Sequence, residues 1–205
     1  MVGRASAKAV LAVGVEALRA TGFTSFRTAK TTYWERPTAG DLRAVCLLGT
    51  IGRHGGAQLI GTVGVRVPEF ELWWERRIAT RLDRQGPPAG MTFGHFITNY
   101  PSLRDPPIFT DASTQADEIG RWISAIIGVL ETWPTTVLEQ ARDVISNPRN
   151  YQAQTVMPAA AAKLAGFLLW AREVHGVQVP DETWPKISED SEYRLCLEPW
   201  PHTLH

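Results

Sequence analysis

Residues 42–67 constrain this chain more than any other stretch. Residues 42–51 and 58–67 are two runs of similar length, low in charge and rich in β-formers. The connection between them is Gly52-Arg-His-Gly-Gly56. Two such runs with a short glycine-rich link predict an antiparallel hairpin. Apolar residues sit at both parities, so both faces of the hairpin are expected to be partly covered.

The flanking sequence extends this hairpin into a meander. Residues 5–20 predict an amphipathic helix with Ala7, Val10, Leu11 and Leu18 on one side. Gly22 follows where a left-handed cap belongs. Residues 23–28 and 31–36 predict a pair of short strands, with Pro37, Gly40 and Asp41 supplying turn chemistry. Pro68 suits the first position of a helix. In that helix Phe70, Trp73, Trp74, Ile78 and Leu82 share a broad face, while Glu71, Glu75 and Arg76 lie mostly away from it. Residues 85–90 end the helix. Residues 91–98 predict a further strand, with Met91, Phe93, His95 and Ile97 on one face and Thr92, Gly94, Phe96 and Thr98 on the other. Residues 99–110 hold three prolines and read as loop.

The second half reads as helical. Thr114-Gln-Ala-Asp117 resembles a capping box, with Asp in place of the usual Glu. Ile119, Trp122, Ile123, Ile126, Ile127 and Leu130 follow at helical spacing. Pro134 opens another helix, carrying Leu138, Ala141, Val144 and Ile145, and Asn147-Pro148 stops it. Residues 158–175 form a third, with Leu164, Phe167, Leu168 and Ala171 inward and Gly176 closing it. Residues 192–198 alternate as a late strand would. Strands and helices are mostly segregated, which predicts an α+β fold. Its antiparallel meander sheet should have about four to six strands, packed with an N-terminal helix and a C-terminal helical half. The expected organisation is one domain over 1–176, sheet-rich to 110 and helical to 176. An acidic tail over 177–205, containing Trp184 and Trp200, docks on it.

Composition narrows the function. Of 205 residues, 44% are hydrophobic and 20% charged, which excludes a fully disordered chain. Basic and acidic side chains balance at 21 each, whereas a protein that coats nucleic acid carries a basic excess. The balance hides a split. Residues 1–110 hold 14 basic and 8 acidic side chains, and residues 111–205 hold 7 and 13. No apolar run approaches the ~20 residues that span a bilayer. Arg4, Lys8 and the apolar residues 9–15 resemble a signal peptide, but Glu16 and Arg19 cut the run short. The expectation is a cytoplasmic protein without a membrane partner.

Motifs for catalysis are sparse. Cys46 and Cys196 form no CxxC pair, so a cysteine zinc site or a thioredoxin-type motif is not expected. They read as buried reduced thiols, with a disulfide as the alternative. The glycine-rich 49–56 stretch lacks the Gly-Lys-Ser/Thr of a phosphate loop and leads into a strand. There is no G-x-S-x-G elbow, and no histidine pair has metal-ligand spacing. No cofactor is expected, and the balance leans away from an enzyme.

Candidate binding residues come from the aromatics and arginines. Trp73 and Trp74 point about 100° apart on a helix, so at most one is fully buried. The other is free to line a groove or interface, and Trp74 is the candidate. Arg27, Arg36, Arg43 and Arg66 lie on or beside strands. With Tyr33 and Trp34 they form a basic, aromatic face if one side of the sheet is open. His95 is a titrating group if it lines a pocket. The candidate binding set is therefore Trp34, Arg36, Arg43, Arg66, Trp74 and His95.

The layout resembles a family of small bacterial domains of unknown function, sometimes found near toxin–immunity loci. The resemblance rests on Thr21-Gly22-Phe23 after a helix, Arg27, and Thr32-Tyr33-Trp34-Glu35-Arg36. It continues through the strand at 93–98, Asp111 and Ala116-Asp-Glu-Ile-Gly-Arg-Trp122. It covers about residues 5–145. Members often carry a His and an Arg in the segment that reads Gly94-His-Phe-Ile-Thr-Asn-Tyr100 here, and the Arg is missing. The resemblance implies an α+β fold and no known catalytic residues.

Three functions fit these readings. The first is a non-catalytic protein-interaction module, of immunity or antitoxin type, offering a charged face to a protein partner. The second is a small-molecule or nucleotide binder, or an enzyme, with a pocket near His95. The third is a single-stranded nucleic-acid binder using the sheet. A homodimer joining the opposed charges is also compatible with the sequence.

Overall fold

A computed structural model describes residues 3–28, 31–83, 91–152, 158–187 and 191–198. In chain order the elements are α1 (Gly3–Ala20), β1 (Thr24–Thr28), β2 (Thr31–Pro37), β3 (Arg43–Arg53), β4 (Gly56–Arg66), α2 (Pro68–Leu82), β5 (Phe93–Phe96), β6 (Ile108–Phe109), α3 (Ala116–Leu130), α4 (Val137–Ser146), α5 (Pro148–Gln152) and α6 (Pro158–His175). Short 3-10 turns fill Ile97–Asn99, Pro101–Leu103, Asp181–Thr183 and Glu192–Leu197. The fold is α+β, as the segregation of patterns predicts.

The chain divides into two compact units, each discontinuous in sequence. The first takes Met1–Thr38, Arg43–Arg66 and Gly90–Trp133, and the second takes Ala39–Leu42, Val67–Ala89 and Pro134–His205. This partition runs across the 1–176 and 177–205 division suggested by composition.

All six strands belong to the first unit. They form an antiparallel sheet in the order β1-β2-β3-β4-β5, with β6 also pairing β4. The β3–β4 hairpin is longer than its sequence runs suggest. Arg53 pairs directly with Gly56, so the turn is only His54-Gly55, with Gly55 at φ +85°. Residues 91–98 make a shorter strand than expected, because the chain leaves β5 for a 3-10 turn at Ile97. The proline-bearing 99–110 stretch is not all loop. Ile108 and Phe109 pair with Gln58 and Ala57.

One sheet face packs against α1 and α3. Val10, Gly14 and Leu18 on α1 repeat every four residues and are buried. They meet Cys46, Leu48, Leu59 and Val63, together with Ile119, Ile123, Ile126 and Leu130 of α3, in one core cluster. Gly14 permits the close helix–sheet approach, since a Cβ there would sit 3.1 Å from Leu59 Cδ1. Gly22 closes α1 at φ +86°, as its position predicts. The start of α3 departs from expectation, because no capping box forms at Thr114. Instead Asp111 Oδ1 accepts from Ser113 N at 2.8 Å and Ser113 Oγ at 2.6 Å. Gln115 Oε1 accepts from Thr110 N and Asp111 N. Those hydrogen bonds, the Ser113 hydroxyl first, hold the Asp111 carboxyl below the usual carboxylate range.

The regular elements described in the second unit are all helices. Phe70 of α2 meets Phe167 of α6 edge-on at 5.5 Å. Expectation for the α2 faces needs one correction. Glu71 is buried, 3% exposed, because its carboxylate meets Lys163 Nζ at 2.8 Å. Trp74 is buried and Trp73 half-buried, so one of the adjacent pair is enclosed. The helix expected from Pro134 begins at Val137. Thr136 caps it, and a capping box closes between Thr136 and Glu139. Leu138 therefore faces outward at 43% exposure, while Val137, Gln140, Ala141 and Val144 face inward. Residues 39–42 join this unit because Leu42 N donates to Thr135 O and Val137 N donates to Asp41 Oδ1.

The late strand expected over 192–198 is instead a 3-10 helix, Glu192–Leu197. Adjacent Cys196 and Leu197 are both buried while Leu195 is exposed, a burial pattern that period-two alternation cannot produce. No strand lies among the described residues of this unit, so a strand here would leave its ladder groups unpaired. Arg77 holds the segment by donating to the carbonyls of Cys196 and Glu198. With Trp184 buried as well, the described part of the tail is docked. Trp200 lies outside the described residues. Both cysteines are buried and neither is in a disulfide. No described helix is long and apolar enough to cross a membrane.

Candidate binding groove

Strand alternation divides the sheet's side chains between two faces. Trp34, Ala44, Cys46, Leu48, Leu59 and Val63 point to the helix-covered face. Leu47, Gly49, Ile51 and Arg53 of β3 point the other way. Their cross-strand neighbours are Thr62, Ile60, Gln58 and Gly56 of β4. Phe96 of β5 stands opposite Thr62, and Ile108 of β6 opposite Gln58. β5 covers β4 from Thr62 to Val65 and β6 covers it only at Ala57 and Gln58. Between them the chain detours through 97–107.

A cavity of about 660 Å³ lies on this face, at that interruption. Its floor is Leu47, Ile51, Ile60 and Phe96, and its rim includes Arg53, Arg104, Asp105 and Pro106. Gly61 belongs to the lining and has to be glycine, because a Cβ there would lie 2.0 Å from Leu47 O. The apolar side chains are unusually open. Phe96 is 67% exposed, Ile108 46% and Ile51 39%. Exposed apolar side chains gathered on one face mark interaction sites.

The rim is electropositive and partly fixed. Its described charged residues are Arg53 and Arg104 against the single carboxylate of Asp105. Arg53 Nε donates to Gln58 Oε1 at 2.6 Å, and Gln58 Nε2 donates to Pro106 O at 2.6 Å. This chain of bonds orients the Arg53 guanidinium. Neither Arg53 nor Arg104 makes an ion pair among the described residues.

The residues singled out from sequence are placed elsewhere. Trp34 is buried on the helix-covered face, with the Arg19 guanidinium 5.1 Å from its ring centroid. Arg36 lies 5.0 Å over Phe23, donates to Thr21 O at 3.2 Å and pairs with Glu131 at 3.4 Å. It ties the end of α1 to the end of α3. Arg43 and Arg66 are direct cross-strand neighbours on the groove face, at the far end of the hairpin. Arg66 pairs with Glu35 at 3.1 Å and covers Phe26, which stacks on Tyr33 at 5.5 Å. Of the residues expected to share a basic, aromatic face, Tyr33, Arg43 and Arg66 lie on one side of the sheet and Trp34 and Arg36 on the other.

His95 points toward the helix-covered face beside Val63, and does not line the groove. Its ring lies 5.3 Å from Trp133 and 6.3 Å from Tyr100. Trp133 Nε1 donates to Tyr100 Oη at 3.0 Å, and burial raises the Tyr100 phenol above its ordinary pKa. Trp74 belongs to the second unit and corrects its assignment to a binding surface. At 5% exposure its ring lies against the bare α-carbon of Gly166.

No protein-family model, curated protein or solved structure matches the chain. Among the described residues no group of three or more His, Cys, Asp and Glu side chains is arranged to hold a metal ion.

Sequence reasoning missed Leu47, Ile51, Arg53, Ile60, Phe96 and Arg104. The signal was the second parity of the hairpin. Leu47, Gly49, Ile51 and Arg53 alternate with the core residues, and Phe96 falls opposite Phe93 and His95.

Proposed function

We propose that the chain is a non-catalytic protein-interaction module, of immunity or antitoxin type, that binds its partner on the groove face of the sheet. The observation that carries this reading is the two-thirds exposure of Phe96 on a sheet face that also exposes Ile51 and Ile108. A volume near 660 Å³ would also fit a small molecule. Small-molecule sites enclose most of their ligand, however, and an aromatic floor this exposed calls for a partner with its own broad surface.

The test is affinity capture from the native host at low and moderate salt, with Phe96→Asp as the control. A stoichiometric partner retained by the wild type and lost by Phe96→Asp is expected. Recovery of no stoichiometric partner at either salt contradicts the reading.

A further inference from the structure

We infer that the segment entering the groove is acidic, with a bulky apolar side chain next to a carboxylate. This rests on the interaction reading above and specifies its partner. The apolar floor of Leu47, Ile51, Ile60 and Phe96 accepts the apolar side chain. The carboxylate goes to Arg53. The Arg53 Nε bond to Gln58 fixes the plane of the guanidinium. Its two terminal nitrogens make no hydrogen bond among the described residues, and they present the fork that binds a carboxylate in bidentate fashion. Arg104 adds a second cation on the same rim, and among the described residues Asp105 is the only carboxylate that lines the groove.

The charge of the lining agrees. Its described residues set Arg53 and Arg104 against Asp105, so an acidic segment approaches a net positive rim while a basic one is repelled. A single strand of nucleic acid fits less well. Such sites stack successive bases on several aromatics along a basic track, whereas Phe96 is the one aromatic among the described residues lining this groove.

The inference is tested by selecting a random peptide display library on the full chain. Enriched peptides should pair Leu, Ile or Phe with Asp or Glu. Their affinity should fall about tenfold or more with Arg53→Ala, fall with Phe96→Asp, and weaken with salt. Neutral or basic peptides that still require Phe96 overturn the acidic inference and leave the interaction reading standing. No enrichment, or enriched peptides indifferent to Phe96→Asp, contradicts both. Binding of a labelled oligodeoxythymidine through Arg53 and Arg104, without peptide enrichment, overturns the inference in favour of nucleic acid. Near-native melting of both variants shows that the losses are not unfolding.

Discussion

Lys163 Nζ lies 2.8 Å from Glu71 Oε1, and the carboxylate side chain is only 4% exposed. The pair joins α2 to α6 inside the second unit. Removing one partner of a buried pair leaves a charge without its counterion, which costs about 3 kcal/mol. Lys163→Met is therefore expected to destabilise the protein by about that amount. The double variant Glu71→Leu with Lys163→Met should recover most of it. Urea unfolding of the single and double variants checks both statements.

Trp74 and Gly166 give a prediction with competing signs. Alanine is a better helix former than glycine by about 1 kcal/mol, so Gly166→Ala would stabilise an exposed helix. Here the added Cβ would stand 2.6 Å from the Trp74 ring. That ring is stacked against Phe70 and is not free to yield. Overpacking costs about 1–3 kcal/mol, so the net effect is destabilising. A melting temperature above wild type would contradict it.

How much of this was legible in the sequence depends on the element. The hairpin, Gly22, the Pro68 helix start and the 158–175 helix were readable, because local chemistry specifies them. The start of α3 was not, since no side chain caps that helix and the turn before it is built by Asp111, upstream of the expected box. The 192–197 segment was misread because period-two alternation and a 3-10 turn can share one sequence. Glu71 looked solvent-facing because Lys163 is 92 residues away in sequence. The groove was hidden for a further reason. Apolar residues at both parities show that both faces are apolar, but not which one a helix covers. The candidate arginines and tryptophans drew attention to residue type, whereas strand parity decides which of them share a surface.

The capping box of α4 predicts a pH dependence. Glu139 Oε2 accepts from Thr135 N, Thr135 Oγ1 and Thr136 N. The backbone N–H of Thr135, the largest cause, holds its carboxyl below the usual range. A depressed folded pKa adds stability that is fully present above the unfolded glutamate value and is lost as pH falls through the folded value. Glu139→Gln should therefore be less stable than wild type near neutrality, with the gap closing on acidification through the carboxylate range. Thr136→Ala should cost about 1 kcal/mol. Thermal melts across pH read both.

Cys46 is fully buried, and burial pushes its thiol up to about 12. The thiolate is the reactive form, so the native protein should resist thiol-specific reagents at mildly alkaline pH. Cys196 is also buried and outside any disulfide. Neither thiol should react with the reagent in the native protein, and both should react in guanidinium. Rapid modification of Cys46 in the folded protein would contradict the packing of α1 on the sheet.

The most direct test of the binding face is photo-cross-linking in the native host. A photoreactive residue is placed at Phe96, on the groove face, or at Leu138, an exposed apolar position of α4 at 43%. The account predicts a discrete protein adduct from position 96 that a groove-binding peptide suppresses, and none from position 138. An adduct from 138 alone, or from both positions with no effect of the peptide, would contradict it.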